Sequence, residues 1–294
     1  MEINIRATSS NALINLVKTH QKSIFGRARL IKFINRFRQR KSDFLVINNV
    51  SIPLELSRDT DLGHYLHDGI YYEQGLLDIL TFFMDKKTVF YDIGANIGFY
   101  SILFASNQKQ VCMFEPNQKI LKNILPILRG YTNLKVFNFG LSDKKETLYF
   151  HASSNHAMAN FRPAANDPNA TKLEVLPLKE VITQYGLPHP EVIKIDVEGF
   201  EMKVLQGYGE ENIQLYQPII LMEYIAEFAN PVGYDFETVK LFAQRCDYKI
   251  YRVENDGTMR DTEIDKAFST SDILLLPGAK VDLLRDYRPV GGQR

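Results

Sequence analysis

Val89-Phe-Tyr-Asp-Ile-Gly-Ala-Asn-Ile-Gly-Phe-Tyr-Ser101 is the stretch whose reading decides the fold. An apolar run reaches Asp92, turns through Gly94 and Gly98, and enters a helical pattern near Ile97. In an open parallel sheet, ligands sit outside the carboxyl ends of the strands, where such turns lie. Glycines let the backbone come close to a ligand, and Asp92 can accept hydrogen bonds from a cationic or hydroxyl-bearing one. The spacing is Gly-x-x-x-Gly, not the Gly-x-Gly-x-x-Gly that cradles a pyrophosphate. An acid in the turn would also repel a diphosphate. The stretch therefore argues against NAD or ATP and for a ligand carrying an amino group.

Working outward, the next apolar run ends at Met113-Phe-Glu-Pro116, with Glu115 lying 23 residues beyond Asp92. A carboxylate at the end of the second strand, about 20 residues past the glycine turn, is the usual partner of ribose hydroxyls. Glu115 thus predicts a nucleoside ligand. Strand candidates continue at Leu134–Leu141, Val192–Val197, Pro218–Glu223, Tyr248–Val253 and Asp272–Leu276. Helical patterns fall between strands, at about 97–107, 117–129, 200–208 and 235–246. This alternation predicts an α/β fold, a mostly parallel sheet with helices on both faces. The segment 151–190, rich in Ser, Asn, Ala and Pro, breaks the rhythm and reads as an insertion or lid.

The chain has 294 residues and a formal net charge of zero, which averages over a split. Residues 1–41 hold ten basic side chains and one acid, a charge of +9, leaving −9 on residues 42–294. Apolar residues Leu13, Val17, Ile24, Leu30, Ile31, Ile34 and Phe37 recur at helical spacing among those bases. The reading is a basic amphipathic helical extension over 1–45, ahead of one domain over 46–294. Docking on the body or self-association is its simplest use; peripheral contact of residues 13–41 with an anionic membrane is the alternative. Nucleic acid is not expected as a partner, because stacking aromatics are not interleaved with the bases and the body is acidic. Two cysteines cannot make a disulfide framework. No apolar stretch nears the roughly 20 residues needed to span a bilayer, and no secretory signal is evident. A cytoplasmic protein, peripheral to a membrane if the basic helix acts there, is the expectation; the oligomeric state is left open.

Asp92-Ile-Gly-Ala-Asn-Ile-Gly98 with Glu115-Pro116 resembles the S-adenosylmethionine (SAM) site of Rossmann-like methyltransferases. Together with Gly140-Leu-Ser-Asp143 and Ile193-Lys-Ile-Asp-Val-Glu-Gly-Phe-Glu201, residues from about 70 to 276 resemble the FkbM-type family. The resemblance implies a Rossmann-like methyltransferase fold with a seven-stranded sheet ordered 3-2-1-4-5-7-6, the strand near 272–276 running antiparallel. It implies SAM as cofactor, with Asp92, Gly94, Asn96 and Gly98 around the methionine part. Glu115 would bind the ribose, Pro116 and Asn117 would lie beside the adenine, and Leu141 and Ser142 along its edge. Asp196 would stand next to the sulfonium, and Glu73, in the Tyr72-Glu73 lead-in, would line the cofactor pocket.

Methyl transfer to a hydroxyl needs the acceptor oxygen positioned and its proton removed, or the oxygen polarised by a metal. Asp196 and Glu198 follow one strand and Glu223 ends the next, which brings all three to one sheet edge as the candidate catalytic acids. One acts as general base, its pKa raised by its neighbours; a divalent cation on two or three of them is possible chemistry but not the expectation. Glu201 reads as a first-turn helix acid favoured by the macrodipole. His151 and His156 read as loop residues. The family's acceptors imply a sugar, glycolipid or natural-product hydroxyl, hence a small-molecule or glycan partner. A non-catalytic SAM-binding protein and a membrane-recruited scaffold are the alternatives.

Overall fold

Runs of β-branched and aromatic residues, most of them ended by Asp, Glu, Asn or Gly, build the central sheet of the computed structural model. The structure describes residues 5–8, 43–47, 50–54, 74–84, 88–151, 160–161, 171–261 and 270–288. Contacts divide the chain into two units, residues 1–72 with 153–158, and residues 73–152 with 159–294.

The first unit carries an antiparallel meander of β1 (Ile5–Thr8), β2 (Asp43–Ile47) and β3 (Val50–Leu54). Ile5 pairs with Ile47, and Ile47 in turn with Val50. The boundary expected between residues 45 and 46 thus falls inside β2. Residues 13–41, read as the basic helix, lie outside the described residues, as do Tyr72, Glu73 and His156.

In the second unit the sheet is built from β4 (Val89–Ile93), β5 (Gln110–Phe114), β6 (Leu134–Phe137), β11 (Val192–Ile195), β12 (Ile219–Ile225), β13 (Tyr248–Val253), β14 (Met259–Asp261) and β15 (Thr270–Pro277). The order β6-β5-β4-β11-β12-β15-β13 is the one expected, with β15 antiparallel to both neighbours. The sheet differs in one respect: it has eight strands, because β14 pairs antiparallel with the outer edge of β13. The turn Asn255-Asp-Gly257 makes this hairpin. Gly257 takes φ +82° and the Glu254 N–H donates to the Thr258 carbonyl. The smaller strands β7 (Gly140–Leu141), β8 (Glu146–His151), β9 (Asn160–Phe161) and β10 (Thr171–Leu176) form a second sheet in the order β7-β10-β8-β9.

Helices α1 (Gln74–Phe83), α2 (Phe99–Ser106), α3 (Gln118–Leu128), α4 (Leu178–Tyr185), α5 (Glu201–Tyr208), α6 (Glu210–Tyr216), α7 (Ala226–Val232) and α8 (Phe236–Cys246) complete the unit. The segment 151–190 is thus regular structure from 171 to 185: β10 extends the second sheet, and α4 buries Leu178, Val181 and Ile182. Strand side chains alternate between faces. Tyr91, Ile93, Ile193, Ile195 and Met222 join one apolar core with Val181 of α4 and Met202 and Leu205 of α5. On the opposite face Phe90 meets Phe104 of α2 edge-to-face at 4.9 Å. That second face also carries Asp92 and Lys194, paired directly across β4 and β11.

Candidate active site

The turn after β4 alternates left-handed residues: Gly94 at φ +78°, Asn96 at +51° and Gly98 at +73°. Gly94 and Ala95 both donate their N–H groups to the Phe114 carbonyl, at 3.0 and 3.1 Å. A Cβ on Gly94 would stand 1.8 Å from the Asp196 carbonyl oxygen, so only glycine lets this turn press against the end of β11. The turn reaches Glu115 through the Asn96 N–H, which donates to Oε2 at 2.8 Å, while the Asn117 N–H donates to Oε1 at 2.7 Å. Glu115 is buried, which pushes its carboxyl up to about 6 against the opposing pull of those two donors. Each oxygen keeps a further lone pair, the capacity a pair of hydroxyl donors needs.

The chain after Glu115 is tied down on both sides. Asn117 caps α3 by accepting from the Lys119 N–H, and the Asn138 side chain donates to the carbonyls of Glu115 and Pro116, both at 3.0 Å. Beside this turn opens a small cleft, apolar in its lining, with walls that include Gly94, Pro116, Leu141, Leu173, Val197 and Phe200. Pro116 and Leu141 thus line one and the same cleft. Ser142 does not share that lining. It is fully buried, its hydroxyl donates to Asp143 at 3.0 Å, and its carbonyl lies where a Cβ on Gly207 of α5 would come within 2.0 Å.

Asp92 belongs to β4 itself and not to the turn. Its carboxyl is 1% exposed, with Oδ2 accepting from the N–H and hydroxyl of Ser101 at 3.0 and 2.6 Å. Its Oδ1 is buried without a hydrogen-bond partner. Burial raises its pKa, opposed by the Lys194 ammonium and the Ser101 donors. Ser101 thus fastens the first turn of α2 to the sheet through Asp92.

Asp92 shares its face with Lys194, Asp196, Glu223 and Asp272. Lys194 is 5% exposed; its Nζ donates to Asp196 Oδ2 at 2.9 Å and lies 5.2 Å from the centre of the Tyr100 ring. Ile195 pairs with Met222, so Asp196 and Glu223 follow as neighbours, and Glu223 is opposite Asp272 on β15. Burial, then the charges of Asp196 and Asp272, push the Glu223 carboxyl up to about 9. Glu198 occupies the turn after β11 at φ +51°. That turn is held by Glu201, whose Oε1 accepts from the N–H groups of Val197 and Gly199 while Oε2 accepts from the Tyr234 hydroxyl. Glu201 is therefore a buried brace for the turn that presents Glu198, a role beyond the macrodipole reading.

The structure so brings together two groups: the glycine turn with Glu115 and the cleft, and the acids Asp92, Asp196 and Glu223 around Lys194. Among the described residues no cluster of three or more His, Cys, Asp or Glu side chains is placed to hold a metal ion. Lys194, Ser101, Asn138 and Tyr234 were missed from sequence. Only Lys194 left a readable signal, a lysine between two isoleucines inside a buried strand.

The model of the methyltransferase FkbM domain family matches residues 92–250, just over half of the chain. The hexuronic acid methyltransferase AglP of Haloferax volcanii is 26% identical over 136 residues, 46% of this chain and 56% of that protein. The methyltransferase sdnD of Sordaria araneosa is 24% identical over 165 residues, 44% of this chain and 64% of its own length. The match thus spans less than two thirds of either relative. A SAM-dependent methyltransferase from Agrobacterium tumefaciens of known structure aligns with a TM-score of 0.42 at 10% identity, covering 83% of this chain and 72% of that one.

Proposed function

The chain belongs to the FkbM methyltransferase family, and from that premise we propose that it is a SAM-dependent O-methyltransferase acting on a hydroxyl of a sugar, glycolipid or natural product. The observation that carries this reading is the pairing of Gly94 with Glu115. The turn lies against the end of β11 where no side chain fits, and its Asn96 N–H fixes the carboxylate beside the apolar cleft. These residues suit SAM: Glu115 has lone pairs left for ribose hydroxyls, Pro116 and Leu141 offer an apolar wall to a flat base, and Asp92 Oδ1 is an unsatisfied buried acceptor.

Bound SAM supplies a methyl group on a cationic sulfonium, open to in-line displacement by an acceptor oxygen. The chain's own part is to bind, orient and manage the acceptor's proton. Glu223 carries a proton at neutral pH, given its carboxyl near 9. Asp196, ion-paired to Lys194 and about a third exposed, is the acid placed to take the hydroxyl proton. Glu198 stands in the adjoining turn as the second acid toward the acceptor. A hexuronic acid methyltransferase among the relatives supports a sugar-type acceptor.

Calorimetric titration of SAM into the purified chain tests the reading. The wild type should bind, and Glu115→Ala should weaken binding about tenfold or more, a loss of roughly 1.4 kcal/mol. A wild type that does not bind SAM would overturn the proposal. Labelled SAM supplied with monosaccharides and their methyl glycosides then reads methyl transfer directly.

A further inference from the structure

A lysine buried inside a parallel strand is rare unless paired, and Lys194 is surrounded by acids on the carboxyl-end face of the sheet. On β4, Asp92 is directly across from it in the ladder. Two residues on along its own chain, Asp196 Oδ2 accepts a hydrogen bond from the Lys194 ammonium at 2.9 Å. On β12 its ladder partner is Leu221, which places Glu223 beside Asp196 and opposite Asp272 of β15. From α2 the Tyr100 ring comes within 5.2 Å of the ammonium. Glu201 of α5 acts on Glu223 as a further negative charge. The amine therefore sits at a crossing point of three strands and one helix, with a reach to the half-buried Asp196 at the edge.

We propose that Lys194 is a positioning residue of the methyl-transfer site: its buried ammonium fixes the Asp196 carboxylate at the sheet edge, between the buried acids Asp92 and Glu223. The inference rests on the function proposed above, since it assigns Asp196 as the acid facing the acceptor. Two physical features support it. The ion pair joins one buried and one partly exposed partner, so Lys194 is held by the core while Asp196 meets the solvent side. The cation also lies on an aromatic face, which favours retention of its charge away from water. Without Lys194, Asp92 and Glu223 each lose an interaction that favours their ionised forms.

The test compares full-length wild type with Lys194→Met and Lys194→Arg. Calorimetry with SAM measures cofactor affinity, and carbon-13 carboxyl NMR follows the titration of Glu223, its signal assigned with Glu223→Gln. In Lys194→Met the Glu223 midpoint should rise by about one pH unit or more, the scale of removing a nearby opposite charge. Lys194→Arg should restore it, whereas a lysine that merely fills space would leave the midpoint unmoved in all three. The SAM titration is read on the wild type alone, because Asp92, across the ladder from Lys194, also belongs to the proposed cofactor site. Asp196→Asn supplies an independent arm should Lys194→Met not fold: removing that charge should lower the Glu223 midpoint. An unmoved Glu223 midpoint in Lys194→Met, or in Asp196→Asn, overturns the Lys194 proposal. Failure of the wild type to bind SAM overturns the functional reading instead, so the two failures are distinguishable.

Discussion

Gly94 and Gly186 both hold left-handed backbone, at φ +78° and +57°, yet their surroundings differ completely. A Cβ at Gly186, the C-cap of α4, meets nothing within 4 Å, whereas one at Gly94 meets a backbone oxygen at 1.8 Å. Gly186→Ala should therefore cost only the left-handed penalty, about 1–2 kcal/mol. Gly94→Ala adds a clash that no side-chain rotation relieves, because the obstacle is the main chain of β11. It should cost about 4 kcal/mol or more, the range reserved for a broken special position, and abolish SAM binding. Paired thermal melts and SAM titrations on the two variants check this. Equal losses of stability would mean that the close approach of turn and strand is not what makes Gly94 necessary. The pair also shows how far a motif can be read: Gly94, Asn96 and Gly98 were legible as a turn closing the first strand, but not the fact that Gly94 is needed to seat one strand end on another.

At the scale of elements, the central strands were legible because each is a short apolar run closed by a polar or glycine residue, and their order followed from the family resemblance. The first of them, the apolar run that reaches Asp92, is β4, and it ends one residue later at Ile93. The pattern hid α4, whose Leu178, Val181 and Ile182 recur at helical spacing but follow a polar, Pro-containing tract. β14 was too short and too polar, Met259-Arg-Asp261, to announce itself; its turn residues were the only signal. Asn138 and Tyr234 act through partners far away in sequence, which no local pattern reports. The hairpin of β13 and β14 has a consequence for α1. Gly75 lies in that helix, where alanine would ordinarily stabilise by about 1 kcal/mol. Here its Cβ would come within 2.3 Å of the Glu254 carbonyl and 2.6 Å of the Gly257 nitrogen, both backbone atoms of the hairpin connection. Gly75→Ala should reverse the helical expectation and lower the melting temperature by several degrees, since a loss of about 2 kcal/mol shifts it that far in a chain of this size. A rise in melting temperature would show that α1 does not pack against the hairpin so closely.

Over the whole molecule, the acids gathered at the carboxyl end of the sheet set how stability depends on pH. Asp92, Glu115, Glu201 and Glu223 are all raised, and in each the leading cause is burial, which disfavours the charged form. A group raised in the folded state binds protons more tightly there than in the unfolded chain. Its contribution is complete below the unfolded value, 4.5 for a glutamate, and is lost as pH climbs to the folded one. Glu115 spans only the interval from 4.5 to about 6, but Glu223 spans 4.5 to about 9, so it dominates the neutral and alkaline range. Asp235 and Asp256, exposed and held down by backbone and side-chain donors of Thr238 and Thr258, act with the opposite sign and only as pH falls toward the ordinary aspartate value. Global stability should therefore decline steadily from about pH 6 to 9. Glu223→Gln keeps the shape and removes the titration, so its melting temperature minus that of the wild type should grow through that window. Melting curves at pH 6, 7, 8 and 9 on both proteins measure the difference, and a constant difference would mean that Glu223 does not hold its proton in the folded state. The same proton that stabilises the fold at pH 7 is the one Glu223 holds beside Asp196 and Lys194, so a destabilised wild type at high pH is the cost of keeping an acid ready at the site.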